Sequence, residues 1–148
     1  MARNISVKVP VSTLVAEIEN KIAEIDAAVA EYPAKREAYE KANEAYKSEV
    51  AKFVADYVAK NIDKIGYDYD DTIRLMTRGS VVELEFKTDA IAGFPEKPVE
   101  PQRPNQHEWF GREHSTRKTL LEKNLRILRM TSQEEVSAST YGAVMELL

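Results

Sequence analysis

The chain has 148 residues, 43% of them hydrophobic and 31% charged, with a net charge of −4. That length suits one domain able to bury a core without staples. Cysteine is absent, which excludes disulfides, thiolate metal sites and thiol nucleophiles. Apolar stretches run only a few residues, far short of the ~20 that a membrane helix needs. The opening MARNISVKVP lacks a long apolar signal-peptide core. The expectation is a soluble protein of the cytoplasm.

Ile5, Val7 and Val9 alternate with Ser6 and Lys8, the period of a short half-buried strand closed by Pro10. Ser12 or Thr13 can cap the helix that follows. Its apolar residues are Val11, Val15, Ile18, Ile22, Ile25, Val29 and Tyr32. This alternating four-three spacing makes a narrow seam of 3.5-residue period, which a helix buries best against another helix. Pro33 removes one backbone bond if it lies inside a helix, at a cost of ~3 kcal/mol, but fits the first turn of a new one. A second helical pattern runs to about Lys64 with Tyr39, Tyr46, Val50, Phe53, Tyr57, Val58 and Ile62. Two readings stand. One is an antiparallel helical hairpin reversing at Pro33. The other is a single helix kinked there, because the four-three phase continues unbroken through Arg36, Tyr39, Asn43 and Tyr46.

Gly66 is placed to end this helical region with a left-handed cap. Thr72–Met76 and Val81–Lys87, joined by Thr77-Arg78-Gly79-Ser80, read as a β-hairpin whose one buried face carries Val82, Leu84 and Phe86. The first strand is expected to pair with this hairpin. Pro95, Pro98, Pro101 and Pro104 fall every third residue, the turn of polyproline II, and read as a stiff spacer. Beyond it, Ser115 is a plausible cap for a helix with Leu121, Leu125 and Leu128 on one stripe, widened by Leu120, Ile127 and Met130. Glu134–Ser137 suits an edge strand, and Ser139 or Thr140 caps a final turn. The fold class is α+β: a long helical hairpin, or Pro33-kinked helix, packed on a small antiparallel sheet, with a polyproline spacer and a C-terminal helix. The expected divisions are a helical and β-hairpin domain over 1–94, the spacer over 95–105 and a C-terminal helical segment over 106–148 packed on the same domain.

No constellation names a reaction. His107-Glu108 and Glu113-His114 are the clustered metal-type ligands, but the position four residues after His107 is Gly111, which breaks the zincin spacing. Asp68, Asp70 and Asp71 lack the glycine and glutamate of an EF-hand loop. A small hydrolase or metal site around His107 and His114 is the third reading, and no metal or cofactor is expected. Arg117, Lys118, Lys123, Arg126 and Arg129 place a basic stripe beside the leucines, able to touch phosphates or acidic helices. Pro98 to Arg103 has the shape of an SH3 ligand. Trp109-Phe110 is either a core plug or an anchor for a partner.

The ending, Leu125-Arg-Ile-Leu-Arg-Met-Thr-Ser-Gln-Glu-Glu-Val-Ser-Ala-Ser-Thr-Tyr-Gly-Ala-Val-Met-Glu-Leu-Leu148, resembles the tails of small accessory proteins from tailed bacteriophages. The resemblance implies a phage-like origin and the cytoplasm of a bacterial host. It transfers no site residue, and it favours binding to host or virion proteins. The leading expectation is therefore a non-enzymatic protein–protein interaction module. It would self-associate through the heptad helix and bind a host or virion protein, using Ile18, Ile22, Ile25, Val29, Tyr39, Tyr46, Phe53, Trp109 and Phe110. The alternative is a nucleic-acid-associated protein using the basic stripe. No membrane partner is expected.

Overall fold

A computed structural model of the chain describes residues 6–148; Ile5, expected in the first strand, lies outside them. The protein is α+β, and its largest element is the helix α1 (Val11–Lys60), which continues through Pro33. Of the two readings at that proline, the single helix is the one adopted, and the hairpin reading is corrected. Pro33 is exposed, and an unbroken seam on both sides of it rewards one continuous helix. No helix among the described residues is long and apolar enough to cross a membrane.

Residue contacts group the chain into two compact units. One comprises the chain up to Lys35 and again from Pro101, the other Arg36–Glu100. This division differs from the one expected at the prolines.

In the first unit, β1 (Lys8–Pro10) pairs antiparallel with β7 (Glu135–Ser137) through Val9 opposite Val136. The expected pairing of the first strand with the 72–87 hairpin is therefore corrected. The Val11 N–H, an orphan at the start of α1, donates to the Glu134 carbonyl at 2.8 Å. The two-stranded β5 (His107–Phe110) and β6 (Glu113–Thr116) turn at Gly111, whose φ is +63°. Then comes α2 (Arg117–Met130), capped by the hydroxyl of Thr116, not Ser115, which accepts from the Thr119 N–H. The last turn is α3 (Gly142–Met145), which follows Tyr141 and has no side-chain cap from Ser139 or Thr140.

Leu14, Ile18 and Ile25 of α1 are buried in one cluster with Leu120, Leu121, Leu125 and Leu128 of α2, and Val136, Val144 and Leu147 close it. Each fully buried leucine or isoleucine contributes roughly 1.5–3 kcal/mol of hydrophobic stabilisation, so this is the seam that holds the unit.

In the second unit, α1 ends at Lys60, and the Asn61 side-chain amide donates to the Tyr57 carbonyl at 2.8 Å. The left-handed cap expected at Gly66 is not there. Gly66 lies in β2 (Ile65–Gly66), and a Cβ on it would meet the Asp71 carboxylate at 1.9 Å. Its glycine is required by that close approach and not by backbone handedness. β2 pairs parallel with β3 (Ile73–Arg78), which pairs antiparallel with β4 (Val81–Phe86). Gly79 has φ +59° whereas Ser80 has no positive φ, the pattern of a type II′ hairpin turn. Ile73 and Ile91 are buried here.

No helix or strand forms between 94 and 103, yet the segment is attached. Phe94 meets Phe53 edge to face at 5.3 Å, and Arg36 forms an ion pair with Glu100. Residues 94–100 thus run antiparallel to residues 53–36 of α1. Pro95 and Pro98 are half-buried while Glu96, Lys97 and Val99 are exposed, so the buried side repeats every third residue.

Candidate functional site

Alternation in β5 and β6 sends Phe110 to one face and Trp109 to the other. Phe110 is half-buried against the core cluster, with the Arg117 guanidinium 5.9 Å from its ring centre. Trp109 remains 72% exposed. It lies opposite His114 in the ladder, 5.0 Å between rings, and His107 is 5.4 Å from His114 on the same side. The seven-residue spacing of the two histidines is therefore closed by the hairpin. Among the described residues no third histidine or carboxylate joins them in a metal-binding group.

A cavity of about 360 Å³ lies beside Trp109. Leu120, Leu147, Ala143 and Phe110 give it apolar walls, and Asn124, Glu113 and Glu146 supply polar atoms. A partly enclosed apolar hollow with a few polar groups and an exposed tryptophan has the make-up of a site that accepts an apolar anchor. Trp109 and Phe110, read as a pair that either plugs the core or anchors a partner, are separated by the pleat: Phe110 packs against the core cluster and Trp109 is exposed.

The basic stripe is largely matched by carboxylates of its own unit. Lys118 Nζ lies 2.5 Å from Asp26, Lys123 lies 3.4 Å from Glu113, and Arg129 pairs with Glu19. Hydrogen bonding to Asp26 chiefly raises the Lys118 pKa. Elsewhere Glu40 and then Glu100 raise Arg36, and Glu44 raises Lys47. Arg126 has no ion pair among the described residues, and lines a hollow with Ile22, Leu125, Glu19, Glu122 and Arg129.

The seam residues divide. Ile18 and Ile25 are buried inside the chain, Ile22 packs partly against the same cluster, and Val29 is exposed. Tyr39, Tyr46 and Phe53 are half-buried in the second unit. Ile18 and Ile25 therefore have intrachain partners. Sequence reasoning missed Asn105, whose side-chain oxygen accepts from the Lys118 N–H at 3.0 Å and satisfies the first turn of α2 from a distance. Its φ of +54° is tolerated by asparagine better than by most residues. It also missed the cavity walls Ala143 and Leu147, which only the folded C-terminus brings to Trp109. The chain matches no protein-family model, no curated protein and no solved structure.

Proposed function

We propose that this protein is a non-enzymatic binding module of the cytoplasm that recognises another protein through Trp109. The observation that carries the reading is the 72% exposure of Trp109 beside an apolar cavity. Burying a tryptophan at an interface contributes more than almost any other side chain, and here its rim offers Glu113 and Glu146 for orientation. With Ile18 and Ile25 engaged within the chain, binding of a host or virion protein takes precedence over self-association. The solution mass should stay near the chain mass of 16.8 kDa. A nucleic-acid role would require the cations of α2 that Asp26, Glu113 and Glu19 already hold.

Trp109 is the only tryptophan, so fluorescence reads this site alone. In the purified protein alone, emission should be that of a solvated indole, readily quenched by iodide. Trp109→Ala should keep its circular dichroism and melting curve while retaining none of the proteins that the wild type retains from a host extract. Retention of the same proteins by both would overturn the reading.

We infer further that Pro95–Pro104 forms a polyproline ridge. Three residues of polyproline II advance about 9.3 Å, and seven of an α-helix about 10.5 Å. Counted from the Phe53–Phe94 contact, the four residues to Pro98 advance about 12.4 Å in polyproline II, about 2 Å beyond the heptad step to Tyr46. The half-burial of Pro95 and Pro98 supports the ridge.

A further inference from the structure

Strand β4 is the outer strand of its sheet, whose order is β2-β3-β4. Its hydrogen-bonding parity is fixed at one end by the Lys87 N–H donating to the Thr72 carbonyl at 3.1 Å. In an antiparallel ladder such bonded pairs alternate with non-bonded ones. Residues 85, 83 and 81 therefore bond back to β3, and the N–H and C=O groups of Val82 and Leu84 point outward. No backbone bond leads from these two residues to any other described segment. Val81, Val82 and Leu84 are 53%, 64% and 37% exposed. An exposed apolar edge with open backbone groups is a template for one more strand.

Two devices of the edge decide what that strand is. Between Val81 and Phe86 the strand carries Glu83 and Glu85 and no cation. Each carboxylate is met from the β3 side only, Glu85 by Arg74 at 2.9 Å and Glu83 by Arg78 at 3.7 Å. Their side chains remain 51% and 47% exposed. A second copy laid antiparallel along the length of β4 would set Glu83 opposite its own counterpart or opposite Glu85, and like charges directly opposed are destabilising. A strand with lysine or arginine at those positions is favoured by the same rule. On the other face, Val82 and Leu84 call for apolar neighbours.

The geometry points to β4 as an acceptor for an extended segment of another protein that alternates valine, isoleucine or leucine with lysine or arginine. Recognition combines main-chain bonding to Val82 and Leu84 with charge pairing at Glu83 and Glu85. This surface is independent of Trp109, so either can fail without the other.

The probe is a short synthetic peptide alternating valine and lysine, followed by the backbone amide NMR signals of the full chain. The Val82 and Leu84 amides should shift on titration and the Trp109 indole should not. Val82→Pro removes one outward donor at an edge position where proline is tolerated, and should weaken binding at least about tenfold. Replacing the peptide lysines with glutamates should do the same. Methylating the peptide's alternate backbone nitrogens should abolish binding while leaving its side chains intact, which decides the matter even where Val82→Pro disturbs the hairpin. Absence of binding up to ~1 mM peptide, or binding indifferent to N-methylation, would overturn the proposal. So would a doubled mass with β4 amides shifting in the absence of peptide, which would give the edge to a second copy.

Discussion

The two halves of α1 carry one seam but close it with different materials. From Leu14 to Ile25 the buried face is aliphatic, closed by the leucines of α2. After Pro33 the seam is mainly aromatic, and Tyr39, Tyr46 and Phe53 are each only half-buried. A helix offers a broad, knobbed face that interlocks with branched side chains, whereas the ring contact seen on the second half is the single edge-to-face packing of Phe94 on Phe53. The same 3.5-residue period thus specifies a buried core in one unit and a half-buried aromatic row in the other. Periodicity sets which face is buried; residue type sets by what, and how deeply.

Breaking the aliphatic half should cost most. Ile18→Asp places an unpaired carboxylate at a position with no exposure and should abolish cooperative unfolding of that unit, since a buried unpaired charge costs more than the usual marginal stability leaves spare. Leu121→Ala, at another fully buried position, should cost about 2–5 kcal/mol. The boundary between the halves can be sharpened in the opposite direction. Pro33→Ala restores a helix-interior residue and should stabilise by up to ~3 kcal/mol, read as a raised denaturant midpoint. An unchanged midpoint would mean that the chain depends on a local bend there.

The aromatic half should respond less. Phe53→Ala should cost about 1–2 kcal/mol, and a double-mutant cycle with Phe94→Ala should show a coupling of about 0.5–1.5 kcal/mol. Pro98→Ala should cost only about 0.4–1 kcal/mol, through the greater freedom of its unfolded chain. A Pro98 effect as large as that of Leu121 would erase the contrast between the two closures.

Much of the fold was legible because it rests on local periods. The seam from Val11 to Tyr57, the existence of a hairpin over 72–87 and the leucine stripe of α2 all follow from spacing, while the hairpin's turn proves two residues tighter than the Thr77–Ser80 connection expected. What was not legible depends on long-range partners. Whether helix or turn wins at Pro33 depends on what covers both sides, which no local pattern states. The pairing of Val9 with Val136 joins chain ends through three-residue strands too short to advertise a register. Gly66 looks like a helix cap by type and is in fact a contact position for Asp71.

The candidate site shows the same limit. Gly111-Arg112 between His107-Glu-Trp-Phe110 and Glu113-His-Ser-Thr116 contains a two-residue turn signal, and reading it would have separated Trp109 from Phe110 by the pleat. The cavity beside Trp109 could not be read, because Leu120, Ala143 and Leu147 meet there only through tertiary packing. The basic stripe was visible in sequence, but its neutralisation was not, since Glu19 and Asp26 lie about a hundred positions away from Arg129 and Lys118.

The smallest contrast lies in the ion pairs that each half of α1 sends across its seam. Lys118 to Asp26 holds the first, and Arg36 to Glu100 the second. Both cations have raised pKa values, Lys118 chiefly through its hydrogen bond to Asp26 and Arg36 chiefly through Glu40. A cation whose pKa is raised by folding stabilises fully below its unfolded value and loses that contribution as pH climbs through the folded one. For lysine the unfolded value is ~10.4, so neither pair should give a slope between neutrality and about pH 9. Above lysine's range the first pair should weaken while the second persists, because arginine stays protonated throughout. Melting curves of the wild type and Lys118→Arg should superimpose near neutrality and diverge above about pH 10.5, with the arginine form the more stable. Parallel curves through that range would mean that the Lys118 contact is spent on solvent and contributes nothing to the aliphatic closure.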